Sequence, residues 1–357
     1  MVHSLIFVKT VDVLILMTFT ALVGFLIVPL VIKFLYKFEF WRKEARTKTI
    51  TGDNATVFNQ LHKEREVRVP RAAGMIVFLS VLATTLFFYF LPYFCSNFWC
   101  AQLNFLSRSQ VVLPLFALIV GGLLGFADDF SQISGRGKYI AGGLTFKQRL
   151  FVILLIGLVG GWWFCFKLGW TIIGIPFLGN FDIGLFYFPL FIVALLAVWS
   201  GGIIDGIDGL AGGVFMIIFS AYGSIAFAQH QYDLAAFCAI ITASLLPFLW
   251  YNIPPAKFYM GETGTIALTA TLTVVAFLTN AIVVLPIIAG LLLFDSLSVI
   301  LQLISKKIRK KKIWLCTPIH HHFEAIGWAP FQVTMRFWII GAILAIMGVI
   351  IQLVGKL

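Results

Sequence analysis

Val111-Val-Leu-Pro-Leu-Phe-Ala-Leu-Ile-Val-Gly-Gly-Leu-Leu-Gly-Phe-Ala-Asp128-Asp129 is an apolar run that ends in two adjacent carboxylates. The run is about the length a helix needs to cross the hydrocarbon of a bilayer. Acids beside such a run are costly to desolvate and are functional candidates by default. The fold follows from how often the run recurs. Ten candidate spans succeed one another, near 11–36, 72–94, 110–127, 148–168, 185–201, 209–229, 233–251, 263–280, 282–303 and 332–354. The eighth and ninth are nearly continuous, broken around Asn280.

Of the 357 residues, 61% are hydrophobic and only 11% charged, which excludes a soluble domain. The apolar runs are spread evenly, so the chain reads as an all-α polytopic membrane protein with one integral membrane domain over 1–357. The net charge of +11 is not a nucleic-acid footprint, because no soluble binding module carries it. It gathers in two loops, 37–71 and 304–331, whereas 95–109 has only Arg108 and 169–184 has no basic residue. The positive-inside rule places the basic loops in the cytoplasm and both termini outside. The cytoplasmic segments are then 37–71, 128–147, 202–208, 252–262 and 304–331.

Residues 171–184 are too short and too punctuated by Gly and Pro for a span; they read as a small outward-facing β-hairpin turning around Gly179-Asn180. The five cysteines have no zinc spacing. Cys95 and Cys100 share an outward loop, where a disulfide competes with the favoured reading of two separate thiols.

Three more polar clusters accompany Asp128-Asp129: Asp205-Gly-Ile-Asp208-Gly209, Met260-Gly-Glu262-Thr-Gly264 and Pro318-Ile-His320-His321-His322-Phe-Glu324. All four follow odd-numbered spans, so all should meet at one membrane face. Adjacent carboxylates such as Asp128 and Asp129 cannot share one side of a helix, whereas Asp205 and Asp208 would. Mutual repulsion there calls for a cation or donor. Glu262 lies between glycines with Asn252 upstream; a carboxylate and a helix N-terminus together suit a Mg²⁺–phosphate pair. Three consecutive histidines do not make a tetrahedral zinc set. They read as a surface patch of ring donors, with Glu324 and Arg336 nearby.

Together these motifs resemble the polyprenyl-phosphate N-acetylhexosamine-1-phosphate transferase superfamily over about 70–338. Pro318–Glu324, Gly327-Trp328, Arg336-Phe-Trp338 and Asp295-Ser-Leu-Ser-Val-Ile-Leu-Gln302 are similar to its muramoyl-pentapeptide branch. The resemblance implies a ten-span enzyme of the bacterial inner membrane with a cytoplasmic Mg²⁺ site. It implies transfer of phospho-MurNAc-pentapeptide from UDP-MurNAc-pentapeptide to undecaprenyl phosphate, giving lipid I and UMP, with membrane lipid around it. Carried onto this chain, it puts Asp129 and Glu262 on the metal and Asp128 as base or nucleophile. Lys147, Asp205, Asp208, Asn252, His320, His321 and His322 then contact substrate. Homodimerisation is common at this size, but no residue marks an interface. Competing readings are a GlcNAc-1-phosphate transferase, a lipid-phosphate transporter and a catalytically weakened homologue.

Four positions depart from the family pattern. Glu262 stands where Asp is usual, which displaces the carboxylate by roughly 1 Å. Gly202 replaces Asn, Gln132 replaces Lys, and Val69–Gly74 matches only loosely. Lys63, Arg65 and Arg68 are the candidates to restore the charge lost at Gln132.

Overall fold

The computed structural model describes residues 2–42, 67–134 and 143–356. Most of the first basic loop (43–66, with Lys63 and Arg65) and the middle of the second cytoplasmic segment (135–142) lie outside the described residues. In chain order the elements are α1 (Val2–Lys37), α2 (Met75–Phe94), the short α3 (Phe98–Gln102), α4 (Val112–Ile133) and α5 (Phe146–Trp162). Strands β1 (Ile172–Ile175) and β2 (Gly179–Asp182) precede α6 (Tyr187–Ser200), α7 (Leu210–Ala228), α8 (Tyr232–Asn252) and α9 (Gly261–Leu278). The chain closes with α10 (Leu285–Ile288), α11 (Gly290–Arg309), α12 (Ile319–Ala325) and α13 (Pro330–Val354).

Among the described residues, nine helical segments are long and apolar enough to cross a membrane. They match nine of the ten spans read from the sequence. The tenth, 282–303, is broken at Ala289 into α10 and α11. α11 is long enough but carries Asp295, Lys306, Lys307 and Arg309. Its inner face holds Asp295, Ser296, Ser298, Gln302 and Ser305, all buried, while Phe294, Ile300, Leu301, Ile304 and Ile308 point outward. Polar inside and apolar outside is the reverse of a soluble amphipathic helix and suits lipid contact. Each of these buried side chains has a partner, although Asp295 Oδ1 itself is unbonded among the described residues. Ser200 Oγ donates to Ser296 Oγ at 3.0 Å, and Gln302 bonds the backbone of Ile313 and Trp314.

α9 is the central helix, packed chiefly on α4. Every residue of α9 except Glu262 is buried. Its threonines spend their hydroxyls on carbonyls a turn back, as Thr269 does on Thr265 (2.6 Å) and Thr271 on Ala267 (2.7 Å). Such back-bonding keeps a hydroxyl-rich helix tolerable in an apolar interior. Glycine lets the neighbours close on its N-terminus: a Cβ on Gly125 of α4 would lie 2.1 Å from the Glu262 carbonyl oxygen. One on Gly74, just before α2, would lie 2.2 Å from Gly264.

The hairpin forms, with Ile172 opposite Asp182 and Ile175 opposite Gly179. Its turn is Pro176-Phe177-Leu178, earlier than the sequence reading, with Phe177 at φ 66° and Gly179 at φ 94°. Cys95 and Cys100 are joined in a disulfide, which corrects the expectation of separate thiols.

Candidate active site

The carboxylates converge on the N-terminus of α9. Asp129, fully buried on α4, accepts from Glu262 N (3.2 Å), Thr263 N (2.9 Å) and Thr263 Oγ1 (2.7 Å). It caps a helix other than its own, meeting free N–H groups and the positive end of the helix dipole. Gly261 has φ +70°, and a Cβ there would lie 2.4 Å from Asp129 Oδ2, so only glycine fits this approach.

Asp128 turns the other way, as adjacent residues on a helix must. It accepts from Leu144 N (2.8 Å), Gln132 Nε2 (3.0 Å) and Arg149 Nη2 (2.8 Å). The same guanidinium reaches Glu262 Oε1 through Nη1 at 2.5 Å. Gln132 in turn accepts from Arg42 Nη2 at 2.8 Å. A hydrogen-bonded chain thus runs from Arg42 through Gln132 to Asp128, and Arg149 bridges Asp128 to Glu262.

Asp205 Oδ2 accepts from Gly261 N at 2.9 Å, adding a third acid to the same helix end. Burial pushes its carboxyl up to about 6, against the pull of the Gly261 N–H and of Arg71. Asp208 diverges from it. Its carboxylate accepts from Ala256 N (3.1 Å), and its carbonyl accepts from Thr334 Oγ1 (3.0 Å). The expectation of one shared helix face fails here, because Gly201–Ile204 is a 3-10 turn and α7 begins only after Gly209 at φ +77°. Asn252 ties this loop down, accepting from Gly209 N (3.0 Å) and donating to the Phe258 carbonyl (2.8 Å).

The histidines complete the ring of clusters, but from within the protein and not as a surface patch. His320 is 0% and His321 4% exposed. Their rings meet edge to face at 4.3 Å. A Cβ on Gly206 would lie 2.3 Å from His320 Nε2 and 2.9 Å from His321 Nε2, so both rest on the acid loop. His321 Nδ1 pairs with Glu324 at 2.6 Å, and His320 Nδ1 with Asp295 at 2.8 Å. His322 is half-buried beside Phe323. Arg336 stacks on Trp328 at 3.9 Å, which itself stacks on Phe323.

Asp128, Asp129, Asp205, Glu262, His320 and His321 therefore belong to one constellation, with Asp208 and Asn252 supporting its loop. Lys147 is exposed on the first turn of α5. Arg149, two residues on, is the α5 cation that reaches the carboxylates. Arg149, Arg42, Thr263 and Asp295 were not singled out as site residues from the sequence. Their partners are distant in the chain; a charge without an obvious neighbour could have flagged Arg149 and Arg42, and the Asp295–Gln302 motif already carried Asp295.

Buried acids thus gather around cations and a helix N-terminus, in a bundle of membrane-length helices. Residues 111–280 match the family model described as Glycosyl transferase family 4. Phospho-N-acetylmuramoyl-pentapeptide-transferases are similar over nearly the whole length. That of Bacillus licheniformis is 33% identical, covering 94% of this chain and 97% of its own. That of Bacillus subtilis is also 33% identical, with 94% and 97% covered. That of Halalkalibacterium halodurans is 34% identical, with 81% and 85% covered. The chain belongs to the phospho-N-acetylmuramoyl-pentapeptide-transferase family.

Proposed function

We propose that this protein transfers phospho-MurNAc-pentapeptide from UDP-MurNAc-pentapeptide to undecaprenyl phosphate in peptidoglycan synthesis, giving lipid I and UMP. The observation that carries the reading is the assembly of all four polar clusters at one end of α9, in a chain so extensively similar to these transferases. Basic-loop asymmetry supports a site on the cytoplasmic face of the inner membrane.

In the reaction an oxygen of the acceptor phosphate bonds to the phosphorus that carries the sugar. The bond from that phosphorus to the bridging oxygen breaks, and UMP leaves. Both partners are anionic, so catalysis is positioning and charge neutralisation. Arg149 and the α9 N-terminus supply fixed positive charge beside the reacting groups. Asp128 is the candidate base or orienting group for the acceptor phosphate, with covalent attack by its carboxylate as the rival. Asp205 and the histidines would hold the donor, with Asp208 and Asn252 fixing the loop beneath it, and Lys147 would offset phosphate charge from the rim.

Among the described residues no three His, Cys, Asp or Glu side chains are gathered as a ready metal set, so Mg²⁺ is proposed from the chemistry of the carboxylates. Asp128 and Glu262 already gather around a cation, Glu262 is the one residue of α9 that is not buried, and carboxylate oxygens retain lone pairs beyond the bonds described. Asp129 and Glu262 would hold the ion, which when bound withdraws charge from the diphosphate. The test is UMP release by detergent-purified protein, with and without Mg²⁺. Mg²⁺-dependent release that needs both substrates supports the reading; release from a UDP-GlcNAc donor alone overturns it in favour of the sister activity.

A further inference from the structure

We infer that Asp295 is a positioning residue that acts through His320, an inference that rests on the transfer reaction proposed above. Both side chains are 0% exposed, and His320 Nδ1 lies 2.8 Å from Asp295 Oδ2. With the carboxylate as acceptor, the proposal assigns the ring hydrogen to Nδ1. The opposite nitrogen, Nε2, is buried and has no hydrogen-bond partner among the described residues. It faces Gly206, between Asp205 and Asp208. The ring is thus fixed from behind by a carboxylate and unpaired in front, over the acid loop that holds the donor. Orientation and tautomer are what a carboxylate behind a histidine supplies.

The placement of Asp295 is specific to this task. His321 takes its partner, Glu324, from its own short helix, three residues on. His320 takes its partner from α11, a membrane helix in which an acid is costly. The next residue, Ser296, bonds Ser200 at the entry to the Gly201–Ile204 turn. α11 therefore carries on adjacent residues a fastening to the acid loop and the group that aims His320 at it. A purely structural tie between α11 and α12 would leave the ring tautomer and the catalytic consequence unlinked.

Two measurements test this. The first is the ¹⁵N spectrum of histidine-labelled protein, which has six histidines, with His320 assigned by comparison with His320→Gln. Hydrogen on Nδ1 in the wild type is expected; a bare Nδ1 overturns the proposal. The second is a mutant cycle on UMP release. Asp295→Asn is expected to lower turnover by about 10²-fold, the scale of lost orientation, and Asp295→Glu to restore part of it. In a His320→Ala background Asp295→Asn is expected to cost nothing further. Losses that multiply, or wild-type turnover in Asp295→Asn, overturn the proposal. If the wild type releases no UMP from UDP-MurNAc-pentapeptide and undecaprenyl phosphate, the proposed reaction fails, and the tautomer measurement still decides this one.

Discussion

Arg149 Nη1 lies 2.5 Å from Glu262 Oε1, and its other terminal nitrogen lies 2.8 Å from Asp128. One guanidinium therefore holds together two carboxylates that would otherwise repel. Arg149→Gln is expected to lower UMP release by roughly 10²- to 10³-fold, the scale for removing one preorganised charge donor. Arg149→Lys should lose less but not recover fully, because an ammonium lacks the planar fork that grips two partners. Equal rates for wild type and Arg149→Gln would remove Arg149 from the machinery.

Glu262 is the single open residue on an otherwise buried helix, so its side chain can change without repacking the core. Glu262→Gln is expected to abolish turnover by removing the charged oxygen ligand a hard cation needs, while Glu262→Asp keeps that ligand and retains turnover. Steady-state rates across a Mg²⁺ titration check this. Matching activity in the two variants would end the metal-ligand assignment.

Gln132 accepts from Arg42 and donates to Asp128, so the guanidinium polarises the amide that holds the carboxylate. Arg42→Ala should cost roughly 10- to 10²-fold in rate, in line with about 1.5–3 kcal/mol for a charged hydrogen bond. Gln132→Lys in the same chain should restore most of it by putting the charge directly beside Asp128. A double variant as slow as Arg42→Ala alone would show that Arg42 does not act through the charge at Asp128.

Burial raises the Asp205 carboxyl to about 6, so between the ordinary range near 4 and that value the folded protein holds a proton that the unfolded chain releases. This group's contribution to stability is complete below about 4 and is lost as pH rises through about 6. Asp205→Asn should therefore raise the unfolding temperature at pH 8, without added divalent ion, and change it little at pH 4. Thermal melts in detergent at the two values check the sign. A gain confined to pH 4 would contradict it.

Much of this was legible in the chain. Nine spans announce themselves because long apolar runs leave a membrane protein few alternatives, and the parity of exits places the acid clusters together before any contact is seen. The tenth was hard to read for a physical reason: α11 buries its polar residues and exposes its apolar ones, so its composition looks intermediate. The pairing of Asp205 with Gly261, and the divergence of Asp208, depend on a 3-10 turn that spacing alone does not reveal. Arg149 lies 113 residues from Glu262 in the chain, and Arg42 lies 90 from Gln132, so local pattern could not join them.

The reversed polarity of α11 also bears on how the protein is made. A nascent segment with an acid among its apolar residues is a poor candidate for lateral release into lipid, since a centred Asp costs roughly 2.5–3.5 kcal/mol on insertion scales. Ser296 and Ser298 bond carbonyls of α11 itself, but Ser296 also meets Ser200, 96 residues away, and the Asp295 carboxylate meets His320, synthesised after it. The Asp295 carboxylate therefore finds its partner only once His320 has been made, and the histidine half of the site is completed as the last part of the chain is synthesised.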